Sequence, residues 1–430
     1  MNLIFFAPRF FPAIAGGEFY ILNLAEYMKK RFNYNSIVIC SNAIDYRAIK
    51  FNNGLCINEN HRYYSKYNEI QIYRIKLNYN CYVEPENFNK SVEFLLECCK
   101  KLNLNIEIKV IVEYLKNGPN LNSFIKYIFD GLFNFKPDLI HSVYLPYSSI
   151  LYSLIIAKFY KIPSICTPFY HIFNPRYASN SLFEVLKYYD TIISCTNYEK
   201  QQLIIKGIPE SKIFVLPMGV NFEKYSNSIQ NKSKQNLSFK KFYKINGDFI
   251  LFCGHKNYEK GAITILKSIP LIYNYFPDLY YVFIGPSTAA FEFNLKKVKK
   301  LSNNILNIKP EQLNGYYDWR KISAFQECII FVMPSRSDAY GMVYLEAWAS
   351  KKPVIGAKTP VMEEVILNNY DGILVEFDNP IELSNSIIKL LKDKQLREYL
   401  GQNGYKKVLN NNRWEIIIDK TKEIYDSFSM

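Results

Sequence analysis

Residues 328–355 read CIIFVMPSRSDAYGMVYLEAWASKKPVI. The apolar run CIIFVM, at 328–333, has the length and β-branched content of a buried strand. Pro334 ends it, a polar loop spans Ser335 to Ala339, and Gly341 opens a helix that runs to about Ser350. Pro353 to Ile355 then starts another strand. Strand, helix, strand over so short a span is the unit of a parallel sheet with crossover helices.

The same alternation extends outward on both sides. Residues 249–253 (FILFC), 280–284 (YYVFI) and 372–375 read as further strands separated by helical segments. An earlier series comprises residues 2–8 (NLIFFAP), 36–40, 138–141, 164–167, 191–194 and 214–217. A helix near 18–32 follows its first strand, with Ile21, Leu24, Ala25 and Met28 at helical spacing. Residues 226–247 separate the two series; they hold Lys232, Lys234, Lys240, Lys241 and Lys244 and no acid. The expected architecture is therefore α/β, with two doubly wound domains facing across a cleft. Ligands of such sheets lie beyond the carboxyl ends of the strands. The first domain is expected at 1–225 and the second at 226–412. A helical insertion at about 83–130 carries Lys100, Lys101, Lys109 and Lys116. Two readings of it stay open, an ordinary solvated insertion and an acceptor-binding or membrane-facing lobe.

Composition narrows the class. Of 430 residues 49% are hydrophobic and 16% aromatic, which excludes a disordered chain. Fifty-three basic against 39 acidic residues give a net charge of +14. The excess is spread evenly along the chain, with no basic tail and no nucleic-acid motif, so nucleic acid is not an expected partner. A spread excess suits anionic ligands or an anionic membrane surface, and equally a Lys-, Asn-, Ile- and Tyr-rich composition. Nine cysteines without a CxxC pair, and four scattered histidines, point to free thiols in a reducing compartment rather than a zinc site. No signal peptide is read at the start of the sequence. Residues 139–157 lack Asp, Glu, Lys and Arg but include His141, Pro146 and four serines. They read as a buried strand, a turn and a helix rather than a membrane span.

Four stretches carry candidate chemistry. In the first, Asp338 lies in the loop and Glu346 two helical turns on. The backbone N–H groups of Tyr340, Gly341, Met342 and Val343 at the helix start are suited to phosphate or hydroxyls. Two acids flanking such amides fit a nucleotide-sugar, one acid for sugar hydroxyls and one for the ribose diol. The plainer reading makes Asp338 a capping acid and Glu346 a solvated helix residue. In the second, FILFCGHKNYEKGAITIL (249–266), a strand runs into Gly254 and Lys260-Gly261 open a helix. Lysine there can hold a diphosphate as a point charge; His255 and Lys256 lie just upstream. In the third, APRFFPAIAGGE (7–18), Gly16 and Gly17 allow close backbone approach at a helix start. In the fourth, IPSICTPFYHIFNP (162–175), His171 follows a strand end and an aromatic loop.

The spacing of Asp338 and Glu346 resembles the acid–seven residues–acid motif of retaining GT-B-fold glycosyltransferases, in particular glycosyltransferase family 4. Asp338 stands where the usual first acid is Glu. Residues 357–375 resemble the family's next strand, loop and helix, with Glu364 at its acid and Asp371-Gly372 at its turn. Lys260 falls at the diphosphate-binding lysine, and His255 stands where Arg is usual, with Lys256 beside it as the compensating cation for the diphosphate. Gly16 and Gly17 resemble the first domain's cleft loop, and His171 the cleft histidine near the donor sugar. The resemblance implies a GT-B fold of two Rossmann-like domains, with a last helix at 413–430 crossing back to the first. It implies transfer of a sugar from a UDP- or GDP-sugar to a hydroxyl of a saccharide or lipid-linked acceptor. Glycan or polysaccharide biosynthesis is the expected setting, with no cofactor and no required metal. The expected location is cytoplasmic, or peripheral at the inner membrane face. Lys260, Asp338 and His171 are the implied catalytic set. A GT-B-fold nucleotide-sugar-binding protein without transfer activity is the alternative.

Overall fold

The computed structural model describes residues 1–428 apart from 14, 50, 52, 58–63, 78, 80–83 and 227–237. Half of the expected junction, 227–237, and Cys81 thus lie outside the described residues. The chain forms two units, one of Met1–Pro217 with Ile418–Met430 and one of Met218–Ile417. The division falls ahead of the expected boundary at 225/226, and the return to the first unit comes at Ile418, inside the helix Trp414–Asp426.

Among the described residues the first unit holds eight strands: β1 (Asn2–Phe6), β2 (Asn35–Ser41), β3 (Tyr64–Tyr67), β4 (Ile70–Ile75), β5 (Leu139–Val143), β6 (Ser164–Thr167), β7 (Thr191–Ser194) and β8 (Ile213–Val215). Their order is β3-β4-β2-β1-β5-β6-β7-β8, with β3 antiparallel to β4 and all other neighbours parallel. Ile4 of β1 pairs with Ile37 on one side and Ile140 on the other. Burial on both faces explains why these strands read as continuous apolar runs. The β3–β4 edge ribbon is an addition to the expected topology.

The expected insertion is a working layer of this unit. Helices Pro85–Lys101, Ile108–Asn117 and Asn122–Phe129 place Leu95, Cys98, Val110, Ile111, Tyr114 and Ile125 in one core with Ile4, Phe6, Ile37 and Tyr73. Burying each such side chain is worth roughly 1.5–3 kcal/mol, so the helices are held by the sheet. Lys100, Lys101, Lys109 and Lys116 stay on the solvent side. The run 139–157 is β5, a turn and the start of the helix Ser149–Tyr160. Among the described residues no helix is long and apolar enough to cross a membrane. The described cysteines are all free, and all but Cys56 are buried.

The second unit carries β9 (Phe249–Cys253), β10 (Tyr280–Ile284), β11 (Ile305–Ile308), β12 (Ile330–Met333), β13 (Val354–Ala357) and β14 (Gly372–Val375). All are parallel, in the order β11-β10-β9-β12-β13-β14. From β9 the chain moves outward to β10 and β11, then returns to lay β12 on the other side of β9. The strand order therefore reverses between β9 and β12, and ligands of such sheets bind in the crevice beyond the carboxyl ends of the strands at that switch point. The loops that leave these two strands are Gly254–Gly261 and Pro334–Gly341.

Candidate active site

Those two loops are latched to each other within the second unit. Gly261, in the left-handed region at φ 73°, caps the helix Ala262–Tyr273; a Cβ there would lie 2.3 Å from the Pro334 carbonyl oxygen. Only glycine permits that approach. The Arg336 amide donates to the Glu259 carbonyl at 2.8 Å, and its guanidinium forks onto the Glu259 carboxylate, with Nε to Oε2 at 3.0 Å. Lys260 Nζ donates to Asp338 Oδ2 at 2.7 Å and to the Ser337 carbonyl at 3.0 Å. The lysine and acid singled out from separate stretches of sequence are thus direct partners, with side chains 20% and 15% exposed.

Gly341, at φ 87°, starts the helix Met342–Ala349; a Cβ would collide with the Tyr344 ring at 2.6 Å. The Tyr344 hydroxyl in turn donates to the Met333 carbonyl at the end of β12. Tyr340 is buried and its hydroxyl accepts from Asn412 Nδ2 at 2.9 Å. Met342 and Val343 are half-buried in the first turn, where helix geometry leaves N–H groups without intrahelical partners.

His255 is exposed at the β9 loop, and Asn257 Nδ2 lies 2.8 Å from its Nδ1. Partial burial and the charges of Lys260 and Lys256 hold its imidazole below the usual pKa. It is therefore a neutral ring at pH 7. With Nδ1 accepting from the Asn257 amide, the ring proton is assigned to Nε2. It can donate one hydrogen bond but brings no charge.

Lys256 departs from expectation. It is fully buried, and its Nζ donates to Asn307 Oδ1 at 2.5 Å and to the Ile308 carbonyl at 2.9 Å, at the end of β11. Burial pushes its pKa down to about 8. Its backbone joins the same seam: the Lys256 amide donates to the Pro286 carbonyl, and Thr288 Oγ1 donates to the Lys256 carbonyl. Lys256 fastens three loops together and does not present a cation to a diphosphate.

Glu346 is not a solvated helix residue. Its side chain is 2% exposed, and Oε1 accepts from Tyr225 Oη at 2.8 Å and from Lys321 Nζ at 2.9 Å. Tyr225, Lys321, Glu259 and Arg336 escaped the sequence reading. A lysine on the apolar stripe of the helix Trp319–Glu327, beside Ala324 and Phe325, was the available signal. Asp371, at the turn before β14, is buried against Lys407 at 2.8 Å.

The remaining candidates lie in the first unit, at the carboxyl ends of β1 and β6. Gly17 is explained by packing: its Cβ would lie 2.3 Å from the Tyr144 ring, and the Tyr144 hydroxyl accepts the Gly17 N–H at 2.6 Å. Gly16 is the first residue of the helix Gly16–Phe32. Arg9 and Glu18 form a buried pair at 2.7 Å beside it. His171 is half-buried after β6, its ring 5.8 Å from Tyr177. Tyr144, itself at φ 74°, packs 5.3 Å from Phe169 and so links the two loops.

Residues 233–407 match the family described as glycosyl transferases group 1, and residues 97–224 match glycosyltransferase family 4. An uncharacterized glycosyltransferase of Methanocaldococcus jannaschii is 27% identical over 252 residues, 54% of this chain and 68% of the relative. The capsular polysaccharide biosynthesis glycosyltransferase CapM of Staphylococcus aureus is 25% identical over 244 residues, 55% of this chain and 61% of the relative. The latter match spans about three fifths of the relative's own length. Among solved structures, Anabaena Alr3699/HepE in complex with UDP and glucose superposes with a TM-score of 0.67 at 14% identity, covering 99% of both chains.

Proposed function

Because the chain belongs to the GT-B glycosyltransferases of the family 4 type, we propose that it moves a sugar from a UDP- or GDP-sugar to an acceptor hydroxyl with retention of configuration. The observation that carries this is the Lys260–Asp338 pair at 2.7 Å, set where β9 and β12 diverge. A diphosphate arriving there competes with Asp338 for Lys260. Asp338, released, becomes an acceptor for sugar hydroxyls. The exchange thus arms both residues at once.

In the proposed step the bond from the anomeric carbon to the phosphate oxygen breaks. The acceptor oxygen bonds to that carbon on the same face, and the acceptor proton passes to the departing phosphate. Lys260 and the amides of Met342 and Val343 offset the charge that collects on the diphosphate. His255 donates a neutral hydrogen bond, Glu346 accepts from the ribose hydroxyls, and His171 orients the sugar. These residues supply the charge compensation without a metal. The UDP in the Anabaena structure supports a uridine nucleotide as the first donor to test. The capsular relative supports a saccharide or lipid-linked saccharide as acceptor. The exposed Lys100, Lys101, Lys109 and Lys116 suit contact with an anionic inner membrane face.

A panel of UDP- and GDP-sugars tests the proposal, scored by thermal stabilisation and slow donor hydrolysis. The anomer of any product is then read by NMR. Stabilisation by one nucleotide series and an α-product from an α-donor are expected. No stabilisation by any nucleotide sugar, UDP or GDP sinks the reading. Tight binding with no turnover on saccharide or polyprenyl-linked acceptors assigns a binding protein instead.

A further inference from the structure

Lys321 occupies a position that helix geometry marks as apolar. It shares the buried stripe of Trp319–Glu327 with Ala324 and Phe325, and its side chain is only 5% exposed. A lysine in such a place is costly unless its charge is matched. Here the match is specific. Its Nζ sits 3.3 Å from the centroid of the Tyr316 ring and 2.9 Å from Glu346 Oε1. Tyr225 donates to the same oxygen at 2.8 Å. One carboxylate oxygen therefore takes two buried donors that come from two different helices, Phe222–Ser226 and Trp319–Glu327. The pair lies under the donor loop: the thiol of Cys253, the last residue of β9, feels the charges of both Lys321 and Glu346.

We propose that Lys321, seconded by Tyr225, is a positioning residue for nucleotide recognition. The clasp fixes the Glu346 side chain in one orientation, so that the ribose hydroxyls meet a preset acceptor rather than a rotating one. The inference rests on the reading of Glu346 as the ribose acceptor. Immobilising one flexible side chain in advance is worth roughly 3- to 10-fold in affinity. The benefit falls on the ribose and not on the reacting bond. Loss of Lys321 should therefore raise donor KM and leave kcat in place.

The test uses the full-length protein with UDP, 2′-deoxy-UDP, GDP and 2′-deoxy-GDP as calorimetric probes, and kinetics with the donor the panel selects. Lys321→Met should weaken ribonucleotide binding roughly 3- to 10-fold and bring the ribo/deoxy affinity ratio toward one. Glu346→Gln should do the same. The double variant, which removes both buried charges, should be no worse than Glu346→Gln alone. Tyr225→Phe should shift the ratio in the same direction with kcat unchanged, and it carries the test if Lys321→Met does not fold. An unchanged ribo/deoxy ratio in Lys321→Met or Tyr225→Phe overturns the proposal. So do effects of Lys321→Met and Glu346→Gln that multiply in the double variant. If Glu346→Gln itself leaves the ratio unchanged, the ribose reading fails, and that outcome is separate from failure of the clasp.

Discussion

Replacing Lys260 by Met separates its catalytic worth from its structural worth. In the resting protein Nζ holds Asp338 at 2.7 Å, with side chains 20% and 15% exposed. A partly exposed pair of this kind contributes on the order of 1 kcal/mol to stability. In a domain of this size that corresponds to about 2–4 °C in Tm. The same ammonium at ~4 Å from a diphosphate oxygen interacts with ~4 kcal/mol at an effective dielectric of ~20. If the part of it that grows as the bond breaks resembles an oxyanion-hole donor, its loss costs about 10²- to 10³-fold in kcat. Lys260→Met should thus melt within a few degrees of the wild type while nearly all nucleoside diphosphate release is lost. Release is followed by a coupled assay, and Tm by differential scanning fluorimetry. Near-wild-type turnover at saturating donor would refute the placement of the leaving group at Lys260. A collapse in Tm matching the activity loss would show that the lysine is structural instead.

Three further outcomes are expected. His141 is fully buried, with its ring nitrogens 2.6 Å from the Tyr425 hydroxyl and 2.8 Å from Thr167 Oγ1, and burial pushes its pKa down to about 3. The folded pKa lies below the unfolded ~6.5, so its stability contribution is full above pH 6.5 and is lost as pH falls toward 3. Between pH 6.5 and 4 the wild type should lose ~3 kcal/mol more than His141→Asn in urea titrations; parallel pH profiles would contradict this. Gly404→Ala should destabilise the second unit by ~1–3 kcal/mol, since the added Cβ would lie 1.9 Å from Trp348; an unchanged urea midpoint would show that the helix Lys394–Asn411 shifts freely. Transfer should persist in excess EDTA, and a loss restored by Mg²⁺ or Mn²⁺ would show that protein cations and amides do not suffice.

The parts of the fold that were legible obey simple periodicities. Parallel strands buried on both faces, such as Phe249–Cys253 and Ile330–Met333, cannot be mistaken for solvated segments. β11 was missed because Leu306 and Asn307 at its centre are only half-buried, which leaves no apolar run. β4 was missed because its buried positions are interrupted by Gln71 and Arg74. The Asp338 and Lys260 loops were legible because glycine and proline punctuate them. Lys256 was misjudged because sequence order does not say which way a side chain leaves a loop. One residue beyond His255 it turns inward, to Asn307. Lys321 and Tyr225 were invisible for a related reason: each acts on a residue 25 or more positions away.

Magnitude decides which lysine can yield to a ligand. Lys260, Lys256 and Lys321 serve the loops and helices around the β9–β12 switch point, and each already has a partner. Breaking the Lys321–Glu346 pair would strand a charge among residues at most 5% exposed, at a cost of ~3–5 kcal/mol. Lys256 would have to leave Asn307 and the Ile308 carbonyl and open a seam of three loops. Lys260 gives up a partly exposed pair, with side chains 20% and 15% exposed, which costs less to break than the buried Lys321 pair, and a diphosphate restores a counter-charge to its ammonium. Of the three, only Lys260 can exchange its partner for a donor at little expense. The other two are better placed to hold the crevice in shape while it does so. The net charge of +14 therefore says little about the donor site, because much of the local basicity is spent on architecture. What distinguishes the site is one lysine whose bond is weak enough to be traded.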